Sequence, residues 1–306
     1  MNPRTLWNLL KKTFTQWSED KPFQLGAALA YYTLFSLAPL LLVAIAVAGL
    51  AFGREAAQNQ ILGAIGDIVG IQSGRAIQAM IESAGEERHS GLFATFLGMT
   101  LLLIGAGGVV GQLQDSLNTI WGVVPKGGRF WWEFIKDRFV SFSMVLGVGF
   151  LLLVSLVVSA ALTAVTQIMT GWLPRVAAMM YFLDLAVSFA FITFLFALIY
   201  KFIPDVRIAW KDVWIGAAMT SFLFSLGKLL IGFYLARSTV TSIYGAAGSL
   251  VTLLLWVYYS SLIFFFGAEF TQVYASEFGS GVLPTEKAKS VALQRRESPP
   301  PEARAL

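Results

Sequence analysis

Six long apolar runs dominate this chain of 306 residues, and each is about as long as the ~20 residues that an α-helix needs to cross a bilayer. The runs lie at about Tyr31–Phe52, Leu92–Val110, Phe139–Met169, Ala177–Tyr200, Val213–Leu235 and Ala246–Phe270. Because backbone polar groups in lipid must be satisfied within the spanning segment, runs of this length fold as helices. The sequence therefore predicts an all-α fold, a polytopic bundle of six transmembrane helices.

The distribution of lysine and arginine between the runs predicts how the bundle is oriented. Of the 22 such residues, 16 lie before the first run, between the second and third, between the fourth and fifth, and after the sixth. Another 5 lie in the remaining three loops, and Lys228 lies inside a run. Since cytoplasmic loops carry the excess of positive charge, both termini are predicted to be cytoplasmic.

The composition excludes several classes of protein. A chain with 57% hydrophobic and 13% charged residues has too little polar surface for a soluble protein of this length. The net charge of +4 is explained by loops that face an anionic leaflet, so no nucleic-acid partner is expected. The absence of cysteine removes disulfides, thiolate nucleophiles and cysteine-ligated metals, and no cofactor is predicted.

The segments outside the bundle divide the chain into three parts. Residues 1–30 form a cytoplasmic segment with an amphipathic helix, residues 31–278 form the transmembrane domain, and residues 279–306 are predicted to be a disordered cytoplasmic tail. The long loop between the first two runs carries isoleucines at helical spacing, at positions 61, 65, 68, 77 and 81. This loop is predicted to form short amphipathic helices on the periplasmic side.

Ionisable residues inside apolar runs are the first candidates for function, because each is unfavourable in lipid unless it is paired, snorkels or borders water. Asp184 and Lys228 are predicted to lie at the same depth in antiparallel neighbouring helices, which allows a buried ion pair. Such a pair either staples the helices or borders a polar cavity. Glu269 lies near the inner end of the last run, where it can snorkel or cap.

Tyrosine, serine and glycine surround two helix entries. Tyr31 lies in a segment of small and aromatic residues before Pro39, and Tyr244 and Ser249 flank the glycines that precede the last run. Interrupted backbone at membrane depth lines protein or water. A polar seam near Asp184, Lys228, Tyr31, Tyr244, Ser249 and Glu269 is therefore the candidate substrate path.

Several motifs carry a resemblance to a known family. They are Ala30-Tyr31-Tyr32-Thr33-Leu34-Phe35-Ser36-Leu37-Ala38-Pro39, Leu117-Asn118-Thr119-Ile120-Trp121-Gly122, Tyr200-Lys201-Phe202-Ile203-Pro204, Tyr244-Gly245-Ala246-Ala247-Gly248, Leu254-Leu255-Trp256-Val257-Tyr258 and Gly267-Ala268-Glu269. In this order and spacing, from about residue 20 to about residue 278, the chain resembles the YihY/BrkB family of bacterial inner-membrane proteins. The resemblance implies six transmembrane helices in the inner membrane. It also implies a link to lipid or lipopolysaccharide transport, with membrane lipids and a periplasmic lipid-bridging protein as partners.

No enzymatic reaction is predicted. The chain has a single histidine, His89, and it lacks H-E-x-x-H, G-x-S-x-G and the phosphate-binding G-x-x-x-x-G-K-[ST]. Two functions of different classes remain. The bundle either admits an amphiphile, whose headgroup Lys228 contacts as a point charge, or it is a membrane scaffold that docks a periplasmic partner.

Overall fold

The computed structural model describes residues 2–69, 74, 77–79, 81–82, 108–126, 174–237 and 248–291, and this part of the chain is mostly helical. The helices are α1 (Pro3–Glu19), α2 (Pro22–Phe52), α3 (Arg54–Val69), α4 (residues 108–120), α5 (Pro174–Phe202), α6 (Trp210–Arg237) and α7 (Gly248–Glu277). The strands are β1 (Val123–Pro125), β2 (Val206–Arg207), β3 (Leu283–Pro284) and β4 (Ala288–Ser290).

Three stretches within the described residues are long and apolar enough to span a membrane. They are Leu185–Phe202 of α5, Trp210–Tyr234 of α6 and Leu250–Glu277 of α7. The first predicted run, Tyr31–Phe52, is helical throughout as part of α2. The third predicted run and nearly all of the second lie outside the described residues, so the structure supports a helical membrane protein with these three candidate spans.

Local chemistry explains where the first helices begin and end. Lys21 adopts a left-handed conformation, with φ of 53°, and Pro22 then opens α2. Proline suits a first helical position because its missing N–H has no partner there and its φ is already helical. α2 ends at Gly53, whose φ of 82° is accessible to glycine and whose N–H donates to the Gly49 carbonyl at 3.0 Å. The chain therefore turns at Lys21, between α1 and α2, and again at Gly53, between α2 and α3.

α7 is the central helix of the described bundle, because α1, α2 and α6 all pack on it, while α5 packs on α6. α5 and α6 are antiparallel: the rings of Phe202 and Trp210 lie 6.0 Å apart next to the connection, and those of Phe196 and Phe224 lie 5.6 Å apart further along. The main core cluster gathers Leu117 of α4, Tyr200, Val213 and Phe265. This core lies toward the end of the helices where the strands are.

That end, the strand-bearing end, carries two antiparallel two-stranded sheets. β1 pairs with β4, with Val124 opposite Lys289, and β2 pairs with β3, with Val206 opposite Pro284. The chain after α7 thus adds one strand to the loop that follows α4 and another to the loop between α5 and α6. Residues 279–306 were predicted to be a disordered tail, and for residues 279–291 that prediction is wrong. Strands of two or three residues held by backbone hydrogen bonds leave no hydrophobic period to detect.

The predicted amphipathic helix at the N-terminus is present as α1. One face of it packs on α7, where Leu9 is fully buried against Phe270 and Val273. Three other apolar residues of α1, Leu6, Trp7 and Phe14, are exposed. α1 therefore packs on the bundle with one face and presents an apolar surface with another. Such a helix suits the border between a bundle and lipid.

Candidate functional site

A hydroxyl in the core joins α5, α6 and α7. The Tyr200 side chain is fully buried, and its hydroxyl donates to the Phe264 carbonyl of α7 at 2.8 Å. The same oxygen lies 3.1 Å from the Thr220 hydroxyl of α6. A buried hydroxyl without partners is destabilising, so this position fixes how the three helices stack.

Helices α6 and α7 meet through a reciprocal arrangement that we call the Gly–Thr clasp, formed by Gly216, Thr220, Gly267 and Thr271. A Cβ added to Gly267 would overlap the Thr220 hydroxyl, and a Cβ added to Gly216 would overlap the Thr271 hydroxyl. Each threonine also donates to the carbonyl of the glycine one turn earlier on its own helix, at 2.8 Å for Thr220 and 2.7 Å for Thr271. The glycines allow the two helix backbones to approach closely, as small residues do in membrane bundles.

A buried carboxylate organises the strand-bearing end. Asp205, in the loop between α5 and α6, accepts hydrogen bonds from Asn118 Nδ2 at 2.9 Å and from Gln114 Nε2 at 3.2 Å. Its backbone N–H donates to Asn118 Oδ1 at 2.8 Å. Asn118 therefore satisfies both an acceptor and a donor of the same residue, and it locks α4 to the loop that carries β2.

A second aspartate anchors the segment after α7. Asp212, in the first turn of α6, accepts hydrogen bonds from the backbone N–H and the hydroxyl of Ser280, each at 2.9 Å. A Cβ at Gly279 would overlap its carboxyl group. The turn after α7 is therefore built around Asp212, which directs the chain toward β3 and β4.

Two carboxyl groups face each other where α1 docks on α7. Glu269 of α7 is 1% exposed, and its Oε2 has no hydrogen-bond partner. The half-buried Asp20, at the end of α1, comes within hydrogen-bonding reach of Glu269. Burial raises the pKa of Asp20 above its ordinary value, and the negative charge of Glu19 raises it further, while the contact with Glu269 lowers it. Glu269, for which the sequence predicted snorkelling or capping, is buried in the structure where α1 packs on α7.

The remaining predicted site residues are distributed as follows. The Tyr31 side chain is exposed on α2, with its ring centroid 4.8 Å from that of Phe35. Tyr244 lies outside the described residues. Ser249 lies on α7 and Asp184 on α5, and the structure does not describe their side chains. Lys228 is exposed on α6. The structure thus gives Tyr31 and Lys228 as surface positions, and the Asp184–Lys228 pair stays a prediction.

The described residues offer carboxyl, hydroxyl and ammonium groups. Among them, no group of three or more His, Asp or Glu side chains is arranged to hold a metal ion. The chemical capacities visible there are proton exchange at the carboxyl groups of Asp20 and Glu269 and electrostatic attraction of an anion at Lys228.

Sequence reasoning missed Asp20, Asn118, Tyr200 and the Gly–Thr clasp. One signal was available for the clasp, since Gly216 precedes Thr220 by one helical turn, as Gly267 precedes Thr271, and small residues at this spacing mark close helix contacts. For Asp20 and Asn118 no such signal exists, because each acquires its partner only through packing of elements that are far apart in the chain.

Comparison with known proteins gives a consistent result over most of the chain. Residues 13–291 match the family model described as "Virulence factor BrkB". A UPF0761 membrane protein of Tolumonas auensis is 29% identical over 268 residues, which are 83% of this chain and 81% of the relative. Similar proteins of Ralstonia nicotianae and Pseudomonas aeruginosa are 27% and 28% identical over 254 residues.

The relatives differ in length. The match covers 82% of this chain but 55% of the Ralstonia protein, and 81% of this chain but 58% of the Pseudomonas protein. The chain therefore spans little more than half the length of these two curated relatives. No solved structure matches the chain.

Proposed function

This chain belongs to the Virulence factor BrkB family, and on that premise we propose that it moves or admits a lipid or lipopolysaccharide in the bacterial inner membrane, as part of envelope maintenance. In this proposal the bundle has six transmembrane helices and cytoplasmic termini. Membrane lipids are the ligands, a periplasmic lipid-bridging protein is the partner, and no covalent reaction takes place.

The common position of four cation-rich segments supports the proposed topology. α1 packs along the last part of α7, β1 follows α4, β2 lies between α5 and α6, and β3 and β4 follow α7. Strand pairing joins the last three of these segments, and α1 reaches the same end through Lys12, whose Nζ lies 2.5 Å from Glu277 Oε1. Loops on one side of a membrane share one charge bias, and this grouping agrees with the excess of lysine and arginine in the same segments.

The observation that carries the lipid proposal is the position of Lys228. Its side chain is exposed on α6, within the candidate span Trp210–Tyr234 and about 9 Å along the helix from Tyr234. The neighbouring side chains Leu226, Leu229 and Leu230 are exposed and apolar. The ammonium group therefore lies on a surface that is otherwise suited to acyl chains.

An ammonium group at that depth needs an anion or water. A lysine is unfavourable by up to about 3 kcal/mol in a spanning helix, with the largest value at its centre. Because Cα–Cβ bonds in a helix tilt toward its N-terminus, the side chain starts away from the nearer end of the span at Tyr234. A phosphate headgroup drawn to Lys228, with its acyl chains along the leucines, removes this penalty.

Site-specific photo-crosslinking in intact cells, with the probe at position 31, 229 or 244, tests the proposal. Adducts are identified by mass spectrometry in the wild type, in Lys228→Met and in the charge-preserving Lys228→Arg. We expect phospholipid or lipopolysaccharide adducts at position 229 that fall at least threefold in Lys228→Met and persist in Lys228→Arg. Lys211→Met, a change of an exposed lysine near the start of the same helix, is the matched control and should leave the adducts unchanged.

The opposite result identifies the scaffold. Protein adducts alone, or lipid adducts that do not depend on the charge at position 228, would overturn the lipid proposal. In that case the bundle would serve to dock a periplasmic partner.

A further inference from the structure

The contact between α1 and α7 has an acidic centre with no compensating cation. Among the described residues, Glu269 forms no salt bridge, and it is almost completely buried. Glu19 and Asp20 of α1 both contribute negative potential there. Lys12 of α1 is engaged by Glu277 at 2.5 Å, and Lys21, which follows Asp20 in the chain, forms no salt bridge with another described residue. Since Glu269 is almost completely buried and faces a second carboxyl group, ionisation of both groups at once is unfavourable.

Several buried polar atoms around this pair have no hydrogen-bond partner. Besides Glu269 Oε2, the buried oxygens Gln16 Oε1 and Gln272 Oε1 have no hydrogen-bond partner. Gln16 lies one helical turn before Asp20, and Gln272 lies one turn after Glu269. The contact thus presents several acceptors to a space that apolar packing closes, since the Trp17 ring lies 6.0 Å from that of Phe266. The Trp17 Nε1 donor in the same contact is also buried without a partner, and none of these neutral groups supplies a positive charge to compensate the two carboxyl groups.

We propose that Asp20 and Glu269 form a proton-binding site, which holds one proton between the two carboxyl groups while α1 is docked on α7 and which releases α1 when that proton leaves. In the docked state one carboxylic acid donates its hydrogen bond to the other carboxylate. When the proton passes to water, two negative charges face each other, and separation of α1 from α7 hydrates both. The site binds a proton. The proposal is therefore independent of the lipid or lipopolysaccharide that the bundle is proposed to admit.

The docked surface gives a direct readout of this equilibrium. Thr13 of α1 is fully buried, whereas Thr15, two residues later, is exposed. The chain contains no cysteine, so Thr13→Cys and Thr15→Cys each introduce a single thiol. In the purified full-length protein, the maleimide labelling rate of Thr13→Cys divided by that of Thr15→Cys measures the fraction of molecules with α1 undocked, and the pH dependence of the thiol reaction cancels in the ratio.

We expect this ratio to be constant in acid and then to rise up to tenfold per pH unit, as release of one proton per opening requires. Glu269→Gln, which keeps the size of the side chain but cannot ionise, should make the ratio low and independent of pH. Asp20→Asn provides a second variant and should move the rise to a different pH. Glu55→Gln applies the same chemical change at an exposed position of α3, outside this contact, and it should retain the wild-type slope.

The possible results separate cleanly. A wild-type ratio that does not change between pH 5 and 9, or a slope that survives in Glu269→Gln, would overturn the proposal. A ratio near one at every pH would also overturn it, since α1 would then not be docked. A rise that disappears only in Glu269→Gln and shifts in Asp20→Asn would establish the site.

Discussion

Thr220 of α6 fills the space above Gly267 of α7, at a distance that leaves no room for a side chain on the glycine. A Cβ at position 267 would lie 2.8 Å from both Cβ and Cγ2 of Thr220 and would overlap its hydroxyl. Thr271 and Gly216 repeat the relationship in the opposite direction. The separation of the two helices is thus set from both sides by a hydroxyl that bonds within its own helix.

Gly267→Ala should therefore destabilise the protein by about 1–3 kcal/mol, the range for overpacking of a closed core. The midpoint of thermal unfolding in detergent measures the effect. Gly232→Ala on α6, where an added Cβ meets nothing within 4 Å, is the control and should leave the midpoint equal or slightly higher. Thr220→Ala in the Gly267→Ala background should recover part of the loss, and the absence of any recovery would contradict the proposed contact.

Tyr200→Phe should lower stability by about 1 kcal/mol, because it removes a buried donor to the Phe264 carbonyl. Tyr234→Phe removes the same hydroxyl from an exposed position on α6 and should have no measurable effect. Thermal unfolding of both variants side by side checks the difference. Equal midpoints would mean that the hydroxyl of Tyr200 does not stabilise the packing of the three helices.

Asn118→Ala should destabilise the strand-bearing end by about 1–3 kcal/mol, since it leaves the Asp205 carboxylate and the Asp205 N–H without this partner. Amide hydrogen exchange should increase first in β2 and in the loop around it. Asn59→Ala, an exposed asparagine on α3, is the matched control. A uniform increase of exchange throughout the chain would contradict a local role for Asn118.

Removal of the C-terminal residues should have effects that depend on where the cut is made. Deletion of residues 292–306 should leave the unfolding midpoint unchanged, because both sheets stay complete. Deletion of residues 279–306 removes β3, β4 and the Ser280 contacts to Asp212, and should lower the midpoint by several degrees. Similar midpoints for the two truncated proteins would mean that the strands do not stabilise the bundle.

Asp20→Asn should raise the unfolding midpoint at neutral pH but not in acid. The pKa of Asp20 is raised in the folded protein by burial, so the folded state holds the proton more tightly than the unfolded state does. Its contribution to stability is fully present below its ordinary pKa of 3.8 and is lost as the pH rises through the folded value. Asparagine does not ionise, so the variant should escape this loss.

A pH series of thermal unfolding measures the difference between Asp20→Asn and the wild type. Glu55→Gln, at an exposed carboxylate of α3, should run parallel to the wild type at every pH. A gain for Asp20→Asn that was as large in acid as at neutral pH would point to a cause other than ionisation.

The sequence predicted the long apolar helices correctly. α5, α6 and α7 each contain a candidate span where an apolar run was expected, because uninterrupted hydrophobicity over that length has one stable solution in lipid. The bounds were less well predicted: α2 already begins at Pro22, and α7 continues to Glu277. The added turns mix polar residues with apolar ones such as Leu25 and Val273, so they interrupt the apolar run although the backbone hydrogen bonds continue through them.

The candidate site could be predicted only one residue at a time. Glu269 was identified because a carboxylate in an apolar run needs an explanation, but its neighbour Asp20 belongs to a polar turn that looks ordinary by itself. Their meeting depends on the way α1 lies against α7, which is a matter of packing between the two ends of the chain. The strands after α7 were missed for a related reason. Segments of two or three residues form strands only through pairing with segments that are far away in the chain.

The pairing of the last strands with earlier loops also orders events during synthesis. β1 and β2 leave the ribosome long before β3 and β4 exist, and α1 must wait for α7, the surface on which it docks. Because chains fold from the N-terminus as they are made, the first helix and both early strands stay unpartnered until translation is nearly complete. A nascent chain that stalls before residue 283 would therefore present unpaired strand edges and an uncovered amphipathic helix, which are features that promote aggregation.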